Sequence, residues 1–192
     1  MSKKIYIIHG WDGGPHEKQL IWLKGQLIAN SFEVGFPVMP NAKVPEIGAW
    51  VSHLQNTIND LGEDVYLVGH SIGCQAIMRY LESLPENVKI GGVIFIAGWF
   101  TLTGLETKEE EDVAKPWLTV PIDFNKVKSH TDKFVAIFSD DDPFVPLENQ
   151  QAFEKNLGAK TLLFHECGHF TSETLLEMPE VLTEILKITQ NA

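Results

Sequence analysis

Apolar residues along the chain fall into two alternating patterns. Short β-branched runs recur, and between them apolar residues return at every third or fourth position. Residues 4–9 (KIYIIH) have the run of a strand. Residues 17–30 place Leu20, Leu23 and Leu27 on one face, as a helix does. Residues 32–39 read as a second strand, ended by Pro40. Pro45 suits the first turn of a helix in which Ile47, Trp50, Val51, Leu54 and Ile58 share a face. A third strand at 64–68 leads into a helix at 72–84 that stops before Pro85. Residues 92–97 (GVIFIA) are continuously apolar, the pattern of a central strand covered on both faces. Strands at 133–138 and 160–164 and helices at 147–157 and 179–189 complete the series, the last with Leu182, Ile185 and Leu186 inward.

Six strands alternating with helices predict an α/β fold, a doubly wound, mostly parallel six-stranded sheet forming one domain over 1–192. In a parallel sheet the strand C-termini share one edge, where such sheets hold ligands. Residues 98–131 break the rhythm. They contain no strong strand and carry the acids at 109–112, Trp117, Pro116 and Pro121. Lying between two core strands, they predict a small cap over the ligand edge, the alternative being a long surface excursion.

Composition narrows the partners. With 44% apolar and 21% charged residues the chain is globular. A net charge of −11 repels phosphate backbones and anionic membranes, which argues against nucleic acid and membrane partners. No segment approaches the roughly 18 apolar residues of a membrane span. The first apolar run, Ile5 to Ile8, is too short for a signal-peptide core, so a cytoplasmic location with Cys74 and Cys167 reduced is expected. Cys74, in the helix after the third strand, reads as a small buried hydrophobe.

The third strand ends on Gly69-His-Ser-Ile-Gly73, a Gly-x-Ser-x-Gly pattern between a strand and a helix. Such a turn strains the serine backbone, and side chains at the flanking positions would collide with strand and helix. A serine hydroxyl needs a base to take its proton. His169, in Cys167-Gly-His-Phe170 after the sixth strand, falls on the same edge; His165 and His70 are poorer candidates. The base needs a carboxylate to orient it. Asp140, Asp141 and Asp142 follow the fifth strand, and three adjacent acids repel one another unless each is held. The segment resembles the Asp-x-x-Val-Pro loop of many hydrolases, a register that selects Asp142, with Asp141 as the alternative. A tetrahedral intermediate also needs two N–H donors. The residue after the nucleophile, Ile72, supplies one. The loop His9-Gly-Trp-Asp-Gly-Gly14 is similar to the His-Gly loop of these hydrolases, which nominates the amide of Trp11.

The early His-Gly loop, Gly-His-Ser-x-Gly, "DDPF", "CGHF" and a short Trp-containing insertion together resemble the compact α/β-hydrolases related to retinoblastoma-binding protein nine. The resemblance covers nearly the whole chain. It implies a minimal α/β-hydrolase fold and a serine hydrolase acting on small ester or amide substrates through an acyl-enzyme, without a cofactor. It carries over Ser71, Asp142, His169 and the amides of Trp11 and Ile72. The Leu-x-Cys-x-Glu motif by which the mammalian member binds a tumour suppressor is absent, so no such partner is inferred.

Other readings remain. His165-Glu-Cys-Gly-His169 holds metal-ligand types, but a strand precedes it and Gly168 interrupts it, unlike a zinc helix; no metal is expected. The acids at 109–112 are a solvated face or attract a substrate amine. Trp11, Trp99, Phe100, Trp117, Phe144 and Phe170 cluster near the edge and suggest a small apolar pocket. Of these, Trp117, Phe144 and Phe170 are the candidate contacts for an apolar or aromatic group on a small molecule or short peptide. The alternative function is a non-catalytic binding or scaffold protein that keeps the hydrolase fold. Oligomeric state is not legible.

Overall fold

The computed structural model describes residues 2–190. Met1, Asn191 and Ala192, which the domain expected over 1–192 includes, lie outside the described residues. The order of elements is β1 (Lys4–Ile8), α1 (Lys18–Ala29), β2 (Glu33–Gly35), α2 (Ile47–Thr57), β3 (Val65–His70), α3 (Ile72–Ser83), β4 (Gly92–Ile96), α4 (Lys108–Thr119), α5 (Phe124–His130), β5 (Phe134–Ser139), α6 (Glu148–Leu157), β6 (Lys160–Phe164) and α7 (Pro179–Gln190).

The strands lie in the order β2-β1-β3-β4-β5-β6, every neighbouring pair parallel. β3, β4 and β5 are buried at every position, which is why their sequences are apolar without alternation. Helices α1 and α7 pack together, and α2, α3, α5 and α6 form a second contiguous row. Right-handed crossovers put the two groups on opposite faces. The chain runs outward from β1 to β2, then returns past β1 to β3. The strand order therefore reverses between β1 and β3, and a crevice opens at their C-terminal ends. Among the described residues no helix is long and apolar enough to cross a membrane.

Three elements differ from the sequence reading. The strand expected at 32–39 covers only Glu33–Gly35. It is an edge strand paired with β1 alone, and Pro37 has no N–H to extend a ladder. Pro45 precedes α2 rather than opening it: it is buried two residues ahead of Ile47, and its carbonyl accepts the indole N–H of Trp117 at 3.0 Å. The third difference lies in residues 98–131, where two helices form. Thr107 and Glu110 make a reciprocal capping box, with Glu110 N to Thr107 Oγ1 at 3.1 Å and Thr107 N to Glu110 Oε2 at 2.9 Å. At the other end of α4, Arg79 Nη2 donates to the carbonyls of Trp117 and Val120 at 3.0 and 2.8 Å, tying the insertion to α3. Asn149 grips its start, accepting from the amides of Phe100 and Thr101.

Candidate active site

The turn between β3 and α3 is tight. Ser71 adopts φ 54° and ψ −122°, a region costly for a residue with a side chain. Its amide donates to Ile96 O at 2.9 Å, anchoring the turn to β4. Both flanking glycines are required by close approach. A Cβ at Gly69 would lie 2.8 Å from Cys74 N, and one at Gly73 would lie 2.4 Å from Ile8 O and 2.7 Å from His9 O. The first turn of α3 thus presses on β3 and on the end of β1.

The loops after β5 and β6 bring their side chains to this turn. His169 Nε2 lies 2.9 Å from Ser71 Oγ, and His169 Nδ1 lies 2.8 Å from Asp142 Oδ2. The carboxylate only accepts, so Nδ1 carries the proton and Nε2 accepts from the hydroxyl. Asp142 is held in turn: its Oδ1 accepts from Phe144 N at 2.9 Å and Val145 N at 3.1 Å. Its side chain is 1% exposed and that of His169 12%.

Each of the three consecutive acids grips a different part of the β6 loop. Asp140 accepts from His165 Nδ1 at 2.6 Å and from Glu166 N at 3.1 Å. Asp141 accepts from Ser139 Oγ at 2.6 Å and from Gly168 N at 2.8 Å, and Ser139 Oγ accepts from Cys167 N at 3.0 Å. Hydrogen bonding to His165 holds the Asp140 carboxyl below its ordinary value, and hydrogen bonding to Ser139 does the same for Asp141. The same pairing holds the His165 imidazole above its ordinary value. These donors separate like charges that would otherwise repel.

The loop after β1 closes the other side. His9 is fully buried; its Nδ1 donates to Gly10 O at 2.8 Å and its Nε2 accepts from Met39 N at 2.9 Å. Burial pushes the imidazole below its ordinary value, which suits a neutral ring with both nitrogens used. Pinning the Gly10 carbonyl fixes the Gly10–Trp11 peptide plane, whose N–H points opposite to that carbonyl. A Cβ on Gly10 would lie 3.4 Å from Ser71 Cβ and 3.0 Å from His70 Nδ1, so this backbone runs directly beside the serine. Ile72 opens α3, and its N–H has no acceptor within the helix.

Ser71, Ile72, His169, Gly10 and Trp11 border a cavity of about 450 Å³. Trp99 and Phe144 join its wall, with Val44, Leu102, Leu105 and Val113. Asp12, Glu17, Glu109 and Glu110 make it acidic, against Lys43. Desolvation holds the half-buried Glu17 carboxyl above its ordinary value. Of the residues expected to contact substrate, Phe144 borders the cavity and meets His169 edge-on at 5.3 Å. Trp117 and Phe170 do not, a correction to the sequence reading: each is 1% exposed and packed in the core. Trp117 stands edge-on to Trp50, and Phe170 packs against Phe164. Phe100 likewise stays outside, against Phe124 and Phe153.

Among the described residues no group of three or more His, Cys, Asp or Glu side chains is placed to hold a metal. His165 and His169 diverge to different aspartates. Cys74 and Cys167 are free thiols, and burial pushes both up, Cys74 the more. Sequence reasoning missed the parts played by His9 and Ser139. Only the adjacency of His9 to Gly10 hinted at the first.

Comparison with known proteins decides the family. The serine hydrolase family model matches residues 5–186. The chain belongs to the serine hydrolase family. Among serine hydrolases and their relatives, it is 30% identical over 174 residues to the YdeN protein of Bacillus subtilis (strain 168), covering 90% of this chain and 88% of YdeN. It is 26% identical over 179 residues to the serine hydrolase RBBP9 of Rattus norvegicus, covering 93% and 87%. The resemblance drawn from the motifs therefore stands. The crystal structure of the ydeN gene product superposes with a TM-score of 0.86 at 27% identity, covering 98% of this chain and all of that one. Est1E from Butyrivibrio proteoclasticus shares the fold, with a TM-score of 0.73 at 18% identity over 97% of this chain and 88% of that one. The fold is that of α/β-hydrolases, and the protein is a hydrolase.

Proposed function

We propose that this hydrolase cleaves small esters or amides through an acyl-enzyme built on Ser71, His169 and Asp142. The observation that carries the reading is the unbroken chain of hydrogen bonds, 2.9 Å from Ser71 to His169 and 2.8 Å from His169 to Asp142, opening on a cavity. Ser71 Oγ attacks the substrate carbonyl carbon while its proton passes to His169 Nε2. Asp142 stabilises the imidazolium. The carbonyl oxygen becomes an oxyanion, and the amides of Trp11 and Ile72 are its donors. Collapse breaks the bond to the leaving group, which takes the proton from His169. Water, giving a proton to His169, then attacks the acyl carbon; the bond to Ser71 Oγ breaks, His169 returns the proton to Oγ, and the carboxylic acid leaves.

The apolar wall of Trp99, Leu102 and Phe144 suits an acyl or aromatic group, and about 450 Å³ matches a small-molecule substrate. Leu102, Leu105, Glu109, Glu110 and Val113 border the cavity, which supports reading the insertion at 98–131 as a cap. The test is p-nitrophenyl acetate hydrolysis by the wild type and Ser71→Ala. Turnover is expected to fall by roughly 10⁶-fold, the scale of nucleophile removal in a serine protease. Undiminished hydrolysis by Ser71→Ala would refute the mechanism.

A further inference from the structure

His70 precedes Ser71 and ends β3. Its side chain is buried, yet it does not simply fill space. Nε2 lies 2.8 Å from the carbonyl oxygen of His169, so Nε2 carries the proton and donates it. Nδ1 is buried without a partner. The donor lies where the nucleophile's neighbour meets the backbone of the base.

The consequence is geometric. Two consecutive residues hold two parts of His169: His70 takes its peptide oxygen and Ser71 its Nε2. The preceding amide, Gly168 N, is held by Asp141. The β6 loop has left-handed backbone at Glu166, Gly168 and Phe170, so its course depends on such external contacts. We propose that His70 is a positioning residue that sets the separation of the Ser71 hydroxyl and the His169 imidazole. The proposal rests on the reading of Ser71 and His169 as nucleophile and base. Burial, reinforced by the charge of His169, lowers the His70 imidazole to about 3. It therefore stays neutral at working pH and adds no charge beside the imidazolium that forms on His169.

The test compares the wild type with His70→Phe and His70→Gln by kcat, KM and the rate of fluorophosphonate labelling at Ser71. Phe fills the site without a donor, whereas Gln can reach the same carbonyl with an N–H. His70→Phe is expected to lose about 10- to 100-fold in kcat and in labelling rate, the scale of a misplacement of order 1 Å, with KM nearly unchanged. His70→Gln should recover most of that loss. A folded His70→Phe that labels and turns over as the wild type does would overturn the proposal, as would a His70→Gln no better than His70→Phe. If Phe prevents folding, the ring ¹⁵N shifts of the wild type decide: Nε2 protonated and Nδ1 bare from about pH 5 to 9 supports it, and the opposite tautomer overturns it. Wild-type protein that does not label at Ser71 would instead refute the underlying mechanism, and the proposal with it.

Discussion

Asp141 Oδ1 accepts the amide proton of Gly168 at 2.8 Å, while its neighbour Asp142 accepts from the His169 ring at the same distance. Two adjacent carboxylates thus serve one loop in different ways, one holding its backbone and the other its imidazole. The proposed mechanism separates them kinetically. Asp142→Asn is expected to lower kcat by about 10⁴-fold, because an amide favours the wrong imidazole tautomer. Asp141→Asn should do far less, since an amide oxygen accepts the same two hydrogen bonds. Steady-state kinetics of the pair is the measurement, and an Asp141→Asn defect as large as that of Asp142→Asn would reverse the assignment.

The turn at Ser71 stores strain that a variant can release. Ser71→Gly should relieve about 1–3 kcal/mol of backbone strain, offset by about 0.4–1 kcal/mol for a freer unfolded chain. A net gain in stability with complete loss of hydrolysis is the expected result. Gly73→Ala acts in the opposite direction. Its Cβ meets the backbone oxygens of Ile8 and His9, neither of which can swing aside, so a loss of about 1–3 kcal/mol is expected. Urea unfolding of both variants reads the two signs.

Burial separates the aromatic residues that share one neighbourhood in the sequence. Trp117→Ala removes a core side chain and its hydrogen bond to Pro45, and should destabilise by about 3–5 kcal/mol. Phe144 is 38% exposed at the cavity, so Phe144→Ala should cost little stability. It should raise KM for aryl or alkyl esters by up to about tenfold, the worth of a partly buried ring. Thermal melts and KM values for an ester series measure the contrast.

Glu17 gives stability a pH dependence of defined sign. Burial raises its carboxyl, opposed by the Gly14 amide, His16, Gln19 and His169. An acid whose folded value exceeds its unfolded one binds its proton more tightly in the native state. Stability therefore falls as pH rises from about 4.5 through the raised value, and stays lower above it. Glu17→Gln removes this ionisation. Its Tm should gain on that of the wild type across that window, and parallel Tm–pH curves would contradict the assignment.

Much of this was legible in residue order alone. The continuous apolar runs of β3, β4 and β5 announce strands covered on both faces, because periodicity follows from burial. Strand-end motifs put Ser71, Asp142 and His169 on one edge, because the C-terminal ends of parallel strands all lie on the same edge of the sheet. The Thr107–Glu110 capping box was also in plain view, although α4 was not read from it. Tertiary structure alone decided which polar groups meet. The Asp-x-x-Val-Pro register singles out Asp142, but nothing in the sequence says that Asp140 takes His165 and that Asp141 takes the Gly168 amide. Trp117 and Phe144 are both large and apolar, and the path of the insertion buries one and leaves the other at the cavity. Periodic pattern encodes burial within regular strands and helices; the burial of a single side chain in a loop, and every hydrogen bond, depends on where distant backbones stop, for the bond to within a few tenths of an ångström.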